Sequence, residues 1–393
     1  MAIKILEVDL QETFTAITVT GDYEYYRILI RICRQPVDWL IIPVQQHHLI
    51  THELLYKSIG QQISWQLAHQ YFALYLRNKI PEPAIYQPIS IVVCTRNRAT
   101  QLASCLQSLL AIEYGKSEII VVDNAPDNDE TYQLVKSLNL HYVCENRPGL
   151  DWARNRGIHE AAYDIVAFTD DDVCVDRFWL QEINKAFNDP QVMAVTGYVA
   201  PSELETPAQA TFELSYGGMG HGFYRRVIKR ENLTEAQLIR ASNFGIGANM
   251  SFRKHVFSKI GLFDTALDVG TPSCGGGDIE MFHRLVSMGY TLVYEPKVLV
   301  WHTHRKNMSA LKKQILFNGR SFGCYLITCV YNQTASRKAV IHFLLINWLY
   351  KWNIKNLVKS NIPASFSLME LYGMLTSPLA YRKSQKQIKN NII

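Results

Sequence analysis

From residue 89 onward the chain alternates continuous apolar runs with stretches of helical spacing. Ile89 to Cys94 (ISIVVC) is apolar almost throughout, the pattern of a strand buried on both faces. Leu102, Cys105, Leu106 and Leu109 then recur at i, i+3, i+4 and i+7, one face of a helix. Glu118–Asp123 (EIIVVD) predicts a second strand, Thr131–Leu138 a helix, and His141–Cys144 a third strand. Trp152–Ala162 predicts a helix and Asp164–Thr169 a fourth strand. Strands alternating with helices predict an α/β fold with a mostly parallel sheet and right-handed crossovers. In such sheets ligands bind outside the carboxyl ends of the strands.

The flanks differ. Residues 1–85 hold strand-like alternation (FTAITVT, YRILIRICR, WLIIPV), then a helical stretch from Leu49 to Arg77 without a catalytic cluster. KIPEPAIYQP, with prolines 81, 83 and 88, reads as a linker. From residue 306 the pattern is helical, rich in aromatics and lysines, and ends in a basic tail. The expected organisation is a small α+β accessory domain (1–85), an α/β catalytic domain (86–305) and a helical C-terminal extension (306–393).

Composition narrows the class. A chain of 393 residues suggests two or three domains at about 100–200 residues each. With 48% hydrophobic and 19% charged residues it is globular rather than disordered. A net charge of +5 is too small to imply nucleic acid and suits anionic substrates or headgroups. Eight cysteines without a CxxC pair suggest a reducing cytosol. The first residues carry acids where a secretory leader needs an apolar stretch. The longest apolar run, Ala339–Tyr350, is interrupted by His342 and Asn347 and is too short to span a bilayer. The expected location is cytoplasmic, peripheral on the inner face of the cell membrane, with the C-terminal helices packed on the catalytic domain and touching the membrane surface.

The strand ends carry the chemistry. Thr95, Arg96, Asn97 and Arg98 follow the first strand, and their hydroxyl and guanidinium donors beside a helix start suit an anion. Asp123 ends the second strand and accepts bonds from a ribose or base, or simply forms a turn with Asn124. Asp170-Asp171-Asp172 follows the fourth strand. In extended backbone residues i and i+2 share a face, so Asp170 and Asp172 share a direction. Three adjacent carboxylates call for a hard divalent cation such as Mg²⁺, or else form a solvated acidic turn or helix cap. Farther on, Gly275-Gly-Gly277 leads into Asp278, either a general base with room for substrate beside it or the cap of its own helix. His302, with His304 two residues on, is a candidate metal ligand.

Together SIVVCTRNR (90–98), IIVVDNA (119–125), RPGLDWARNRGI (147–158), VAFTDDDV (166–173), GANMSFRK (247–254) and GGGDIEMFHRL (275–285) resemble the family 2 glycosyltransferases, whose fold is the GT-A nucleotide-sugar fold. The resemblance implies a Rossmann-like, mostly parallel sheet with flanking helices. It implies that Thr95, Arg96, Asn97, Asp123, Arg154, Asp170 and Asp171 serve the donor. Asp170 and Asp172 would hold Mn²⁺ or Mg²⁺ and Asp278 would be the base, while Asn249, Gly277 and Glu280 would face the acceptor. Gly277 stands where the family has Glu before the base. The processive synthases of the family carry Gln-x-x-Arg-Trp, which this chain lacks.

The expected reaction is therefore metal-dependent, inverting transfer of one sugar from a nucleoside diphosphate sugar, a UDP-sugar first, to a glycan, lipid-linked or small-molecule hydroxyl. A nucleotidyltransferase would want a glycine-rich loop after the first strand, and CTRNRATQL has no glycine. A degenerate nucleotide-sugar-binding protein would not need the intact DDD and Asp278. Residues 201–243 read as a mobile acceptor lid or an ordinary surface loop.

Overall fold

The computed structural model describes residues 2–13, 15–44, 49–77, 86–354 and 362–391. Residues 78–85, which take in most of the expected proline linker (79–88), and residues 355–361 of the C-terminal helical run lie outside the described residues.

At the N-terminus β1 (Ile3–Asp9), β3 (Tyr25–Ile32) and β4 (Gln35–Pro43) form a three-stranded sheet, and β2 (Ile17–Thr18) pairs with β5 (Leu49–Ile50). Helices α1 (His52–Gln62) and α2 (Ser64–Arg77) follow; Ile28, Ile30, Leu40 and Leu55 pack together between sheet and helices. The single helical stretch of the sequence is thus broken at Ile63, which caps α1.

The main sheet takes the apolar runs in sequence. They are β6 (Ile89–Thr95), β7 (Ser117–Asn124), β8 (His141–Glu145) and β9 (Ile165–Asp170), separated by α3 (Ala99–Leu110), α4 (Glu130–Ser137) and α5 (Leu150–Glu160). Their mutual pairings are parallel, with β6 between β9 and β7. Next come β10 (Val173–Val175), α6 (Trp179–Ala186), β11 (Val192–Pro201), β12 (Arg226–Ile228), β13 (Asn249–Arg253), α7 (Gly277–Ser287) and β14 (Thr291–His302). The strand order is β10-β14-β11-β13-β9-β6-β7-β8, with β12 on β14. β11 is parallel to β14, while the antiparallel β13 joins β9 to β11 and β10 and β12 pair antiparallel with β14. Two apolar layers cover the sheet faces, one with Leu102, Leu106 and Trp179, the other with Phe252, Phe282 and Tyr325.

Helices α8 (Met308–Tyr331), α9 (Arg337–His342, continuing as a wider turn through Ile354) and α10 (Ala364–Asn391) complete the chain. They pack on the catalytic layer: the Tyr325 hydroxyl donates to the Ile239 carbonyl at 2.9 Å, and Phe343 and Trp348 join the core. Residues 201–243 are folded against this unit, with Ala208 and Phe212 packed on Ile315 and Phe366. Among the described residues no helix is long and apolar enough to cross a membrane.

Candidate functional site

A cavity of about 340 Å³ opens at the carboxyl edge of the sheet. Thr95, Arg96, Arg98, Asn124, Asp170, Asp171, Asp172 and His302 line it, with Met219 and Gln314 reaching in from outside the sheet.

The three aspartates split by direction. Asp171 turns toward β6, where its carboxylate accepts from the Thr95 hydroxyl at 2.7 Å and from Arg98 Nη1 at 2.6 Å. Asp170 and Asp172 turn the other way, toward His302, and one ligand atom from each of these three lies within 4.8 Å of the others. The reason is register. Directly after the aspartates β10 pairs antiparallel with β14, setting Val173 opposite His302. That places His302 Nε2 3.2 Å from Asp172 Oδ1. Arg98 Nη2 holds the other Asp172 oxygen at 2.9 Å.

Burial raises the Asp171 carboxyl to about 7 despite Arg98 and Thr95. Burial also raises Asp170, against the pull of Arg154. In Asp172 burial is outweighed by the hydrogen bond and charge of His302 and by Arg98, so its carboxyl falls well below the usual range.

A second layer supports His302. Its Nδ1 lies 3.4 Å from His304 Nδ1, and His304 Nε2 lies 3.1 Å from Glu213 Oε2. Glu213 in turn accepts from Arg27 of β3 at 2.9 Å. A polar chain therefore runs from the N-terminal sheet to the aspartates. Sequence reasoning missed Glu213 and Arg27, whose spacing carries no local signal; Arg98 had one, its place beside Thr95.

Behind the cavity Asp151 and Arg154 of α5 form a buried pair at 3.0 Å. The Arg154 pKa is raised: burial opposes its charge, but Asp151, Asp170 and Asp278 together outweigh burial. Asp278 sits in the first turn of α7, and its Oδ2 accepts from the Gly247 N–H at 2.9 Å. A Cβ at Gly247 would lie 2.6 Å from an Arg154 nitrogen and 3.0 Å from Asp278 Oδ2, so glycine allows this approach. Asp123 is fully buried at the tip of β7; one oxygen accepts from the Tyr142 hydroxyl at 3.0 Å. Its other oxygen, Oδ1, has no partner among the described residues.

Three expected site residues are otherwise engaged. Asn249 is fully buried: its amide donates to the Tyr198 and Val298 carbonyls at 3.0 and 2.8 Å and its oxygen accepts from Trp179 Nε1 at 3.0 Å. Every polar atom of the amide is thus engaged with Trp179, Tyr198 and Val298, and none is left over for the acceptor expected at this position. Glu280, also buried, accepts from Arg284 at 2.8 Å, and Arg284 clamps the Leu262 carbonyl. The pair braces the fold at the start of α7. Asn97, in the left-handed region (φ 53°), is tied to Asp127 through its amide nitrogen and through its oxygen, which accepts from the Asp127 N–H. It shapes the loop and is absent from the cavity lining.

Comparison with known proteins agrees with this architecture. Residues 90–261 match the model for Glycosyl transferase family 2. The glycosyltransferase AglE of Haloferax volcanii is 25% identical over 234 residues, 58% of this chain and 70% of that protein. The poly-beta-1,6-N-acetyl-D-glucosamine synthase of Staphylococcus aureus is 28% identical over 276 residues, 66% of this chain; the chain spans 62% of the synthase's length. The mannosyltransferase PcManGT from Pyrobaculum calidifontis, solved in complex with GDP-Man and Mn²⁺, shares the fold with a TM-score of 0.54 and 17% identity, over 80% of this chain and 97% of that one.

Proposed function

Because the chain is a family 2 glycosyltransferase of GT-A fold, we propose that it transfers a single sugar from a nucleoside diphosphate sugar to an acceptor hydroxyl, with inversion at the anomeric carbon. The observation that carries this reading is the meeting of Asp170, Asp172 and His302 within 4.8 Å in the cavity that also holds Thr95 and Arg96. Two carboxylates and an imidazole are a donor set that suits Mn²⁺ or Mg²⁺. Such an ion, when bound, neutralises the charge that grows on the diphosphate as the sugar departs.

The chain's own residues do the rest. Arg96 faces the diphosphate from the cavity wall, and Asp123, fully buried and outside that wall, keeps an unpartnered oxygen that suits a nucleoside N–H or O–H. Arg154, fixed by Asp151, adds a buried positive charge beside Asp170 and Asp278. Asp278 takes the proton of the acceptor hydroxyl as that oxygen bonds to the anomeric carbon. The bond from that carbon to the phosphate oxygen breaks on the opposite face, and its electron pair leaves with the nucleoside diphosphate. The Gly247 N–H aims one Asp278 oxygen and the Ile279 N–H the other, each at 2.9 Å.

A UDP-sugar is the first donor to try. GDP-mannose belongs beside it, since a protein of this fold was solved with that donor and Mn²⁺. The acceptor is a hydroxyl of a glycan, a lipid-linked sugar or a small molecule. The test is a panel of UDP-, GDP- and TDP-sugars with Mn²⁺, Mg²⁺ or EDTA, reading the free nucleotide product. We expect metal-dependent release of nucleoside diphosphate from one donor, lost in Asp172→Ala. Asp278→Asn should lower transfer about 10²–10⁴-fold while donor binding survives. Near-normal turnover of Asp278→Asn would remove it as base, and release of pyrophosphate instead would overturn the reaction class.

A further inference from the structure

The C-terminal helices carry a surface that sugar transfer does not use. Residues 306–393 contain 13 Lys and Arg against one acid, Glu370, which is buried. The other 305 residues contain 27 Lys and Arg against 34 acids. The C-terminal quarter therefore carries +12 while the rest of the chain is net negative at −7.

The same segment exposes apolar side chains in rows. On α10, Leu368, Tyr372, Leu375 and Leu379 follow one another at intervals of four, three and four residues, one face of a helix, and all four are more than half exposed. Continuing that spacing, the row ends in exposed Arg382, Lys383 and Lys386. On the α9 run Ile341, Leu345 and Tyr350 are likewise more than half exposed, with Arg337, Lys338 and Lys351 exposed beside them. Between α8, α9 and α10 lies an open groove of about 1000 Å³, lined by Leu326, Val330, Val340, Leu344, Leu375 and, at its rim, Arg337.

We propose that this face docks on an anionic phospholipid bilayer, with α9 and α10 lying in the plane of the headgroups, their apolar rows inserted and their Lys and Arg on the lipid phosphates. Exposed apolar rows bordered by basic residues, on helices none of which is both long and apolar enough to span, are the pattern of an interfacial helix. Charge decides between occupants. A second copy meeting this face through a two-fold axis would bring like charge against like charge, whereas an anionic surface complements it. The assignment stands on this surface alone and is independent of the sugar-transfer reading.

The test is flotation of the full chain with phosphatidylcholine vesicles, with or without about one-third phosphatidylglycerol, at low and high salt. We expect binding to the anionic vesicles that weakens with salt. Leu375→Glu with Leu379→Glu should lower the bound-to-free ratio at least ~tenfold, and Arg382→Glu with Lys383→Glu should lower it and flatten the salt dependence. Donor hydrolysis in vesicle-free solution should not change. The proposal fails if the wild-type chain stays unbound with both vesicle types. It also fails if binding ignores lipid charge and salt, a result that needs no variant. Sedimentation showing a dimer that the leucine variant dissolves would assign the face to a second copy instead.

Discussion

The carboxylate of Asp151 stands where a side chain at position 277 would begin: a Cβ on Gly277 would lie 1.9 Å from Asp151 Oδ2. The resemblance leads one to expect Glu just before the base, and here an acid from α5 fills that space while pairing with Arg154 at 3.0 Å. Gly277→Ala should therefore destabilise by about 1–3 kcal/mol through overpacking, and Gly277→Glu by more, since it adds a like charge. Asp151→Ala should cost about 3–5 kcal/mol, because it takes a partner from a buried guanidinium. In the double variant the Glu at 277 can enter the vacated space, so the two losses should not add. Urea unfolding of the four proteins measures this coupling. Additivity within about 0.5 kcal/mol would show that the two positions do not compete.

Arg98 occupies one of the carboxylates that a cation would need, contacting Asp172 at 2.9 Å, while it is anchored on Asp171 at 2.6 Å. Its side chain is one-third exposed, so the pairs contribute modestly. Arg98→Ala should lower metal-free stability by about 1–2 kcal/mol. With the competing charge gone, a fixed Mn²⁺ concentration should raise the melting temperature more in the variant than in the wild type. Thermal shift across a Mn²⁺ titration reads both effects. An equal Mn²⁺ shift in the two proteins would mean that Arg98 and the cation do not compete for Asp172.

The half of the site built by local order was legible. Strands buried on both faces must be apolar runs, so β6, β7, β8 and β9 stood out, and the polar residues at the ends of three of them, Thr95, Asp123 and Asp170, were located with them. What depends on pairing between distant segments was not legible. His302 was named as a candidate ligand from its own motif, but the β10–β14 register that brings it to Asp172 joins residues more than a hundred positions apart. Nor does any spacing announce that Arg27 of the N-terminal sheet reaches Glu213. The same limit explains Asn249 and Glu280. Polar residues near a motif look available until the structure supplies Trp179 and Arg284 as their partners.

For Asn249 this has a direct consequence. Asn249→Ala would strand two buried carbonyls and one indole N–H, so it should cost about 2–4 kcal/mol. At a temperature where the variant remains folded, acceptor KM should equal that of the wild type. A raised acceptor KM with unchanged unfolding would return Asn249 to the acceptor side.

Glu370 gives the fold a pH dependence that lies away from the aspartates. Burial lifts its carboxyl to about 7, although hydrogen bonds from Trp352, at 2.9 Å, and Tyr216 pull the other way. A raised pKa means that the folded chain favours the neutral acid. Its contribution is full below the unfolded value, near 4.5, and is lost as pH rises through about 7. Across that window the loss is at most about 3 kcal/mol, at 1.36 kcal/mol per pH unit. Glu370→Gln keeps the size and stays neutral, so its stability should fall less between pH 5 and pH 8 than that of the wild type. Urea midpoints at pH 5, 6.5 and 8 compare the two slopes. Because the comparison is of slopes, a constant offset from the new amide does not matter. Parallel curves would show that the Glu370 proton is not linked to folding, whereas a difference that shifts in favour of Glu370→Gln from pH 5 to pH 8 is the expected result.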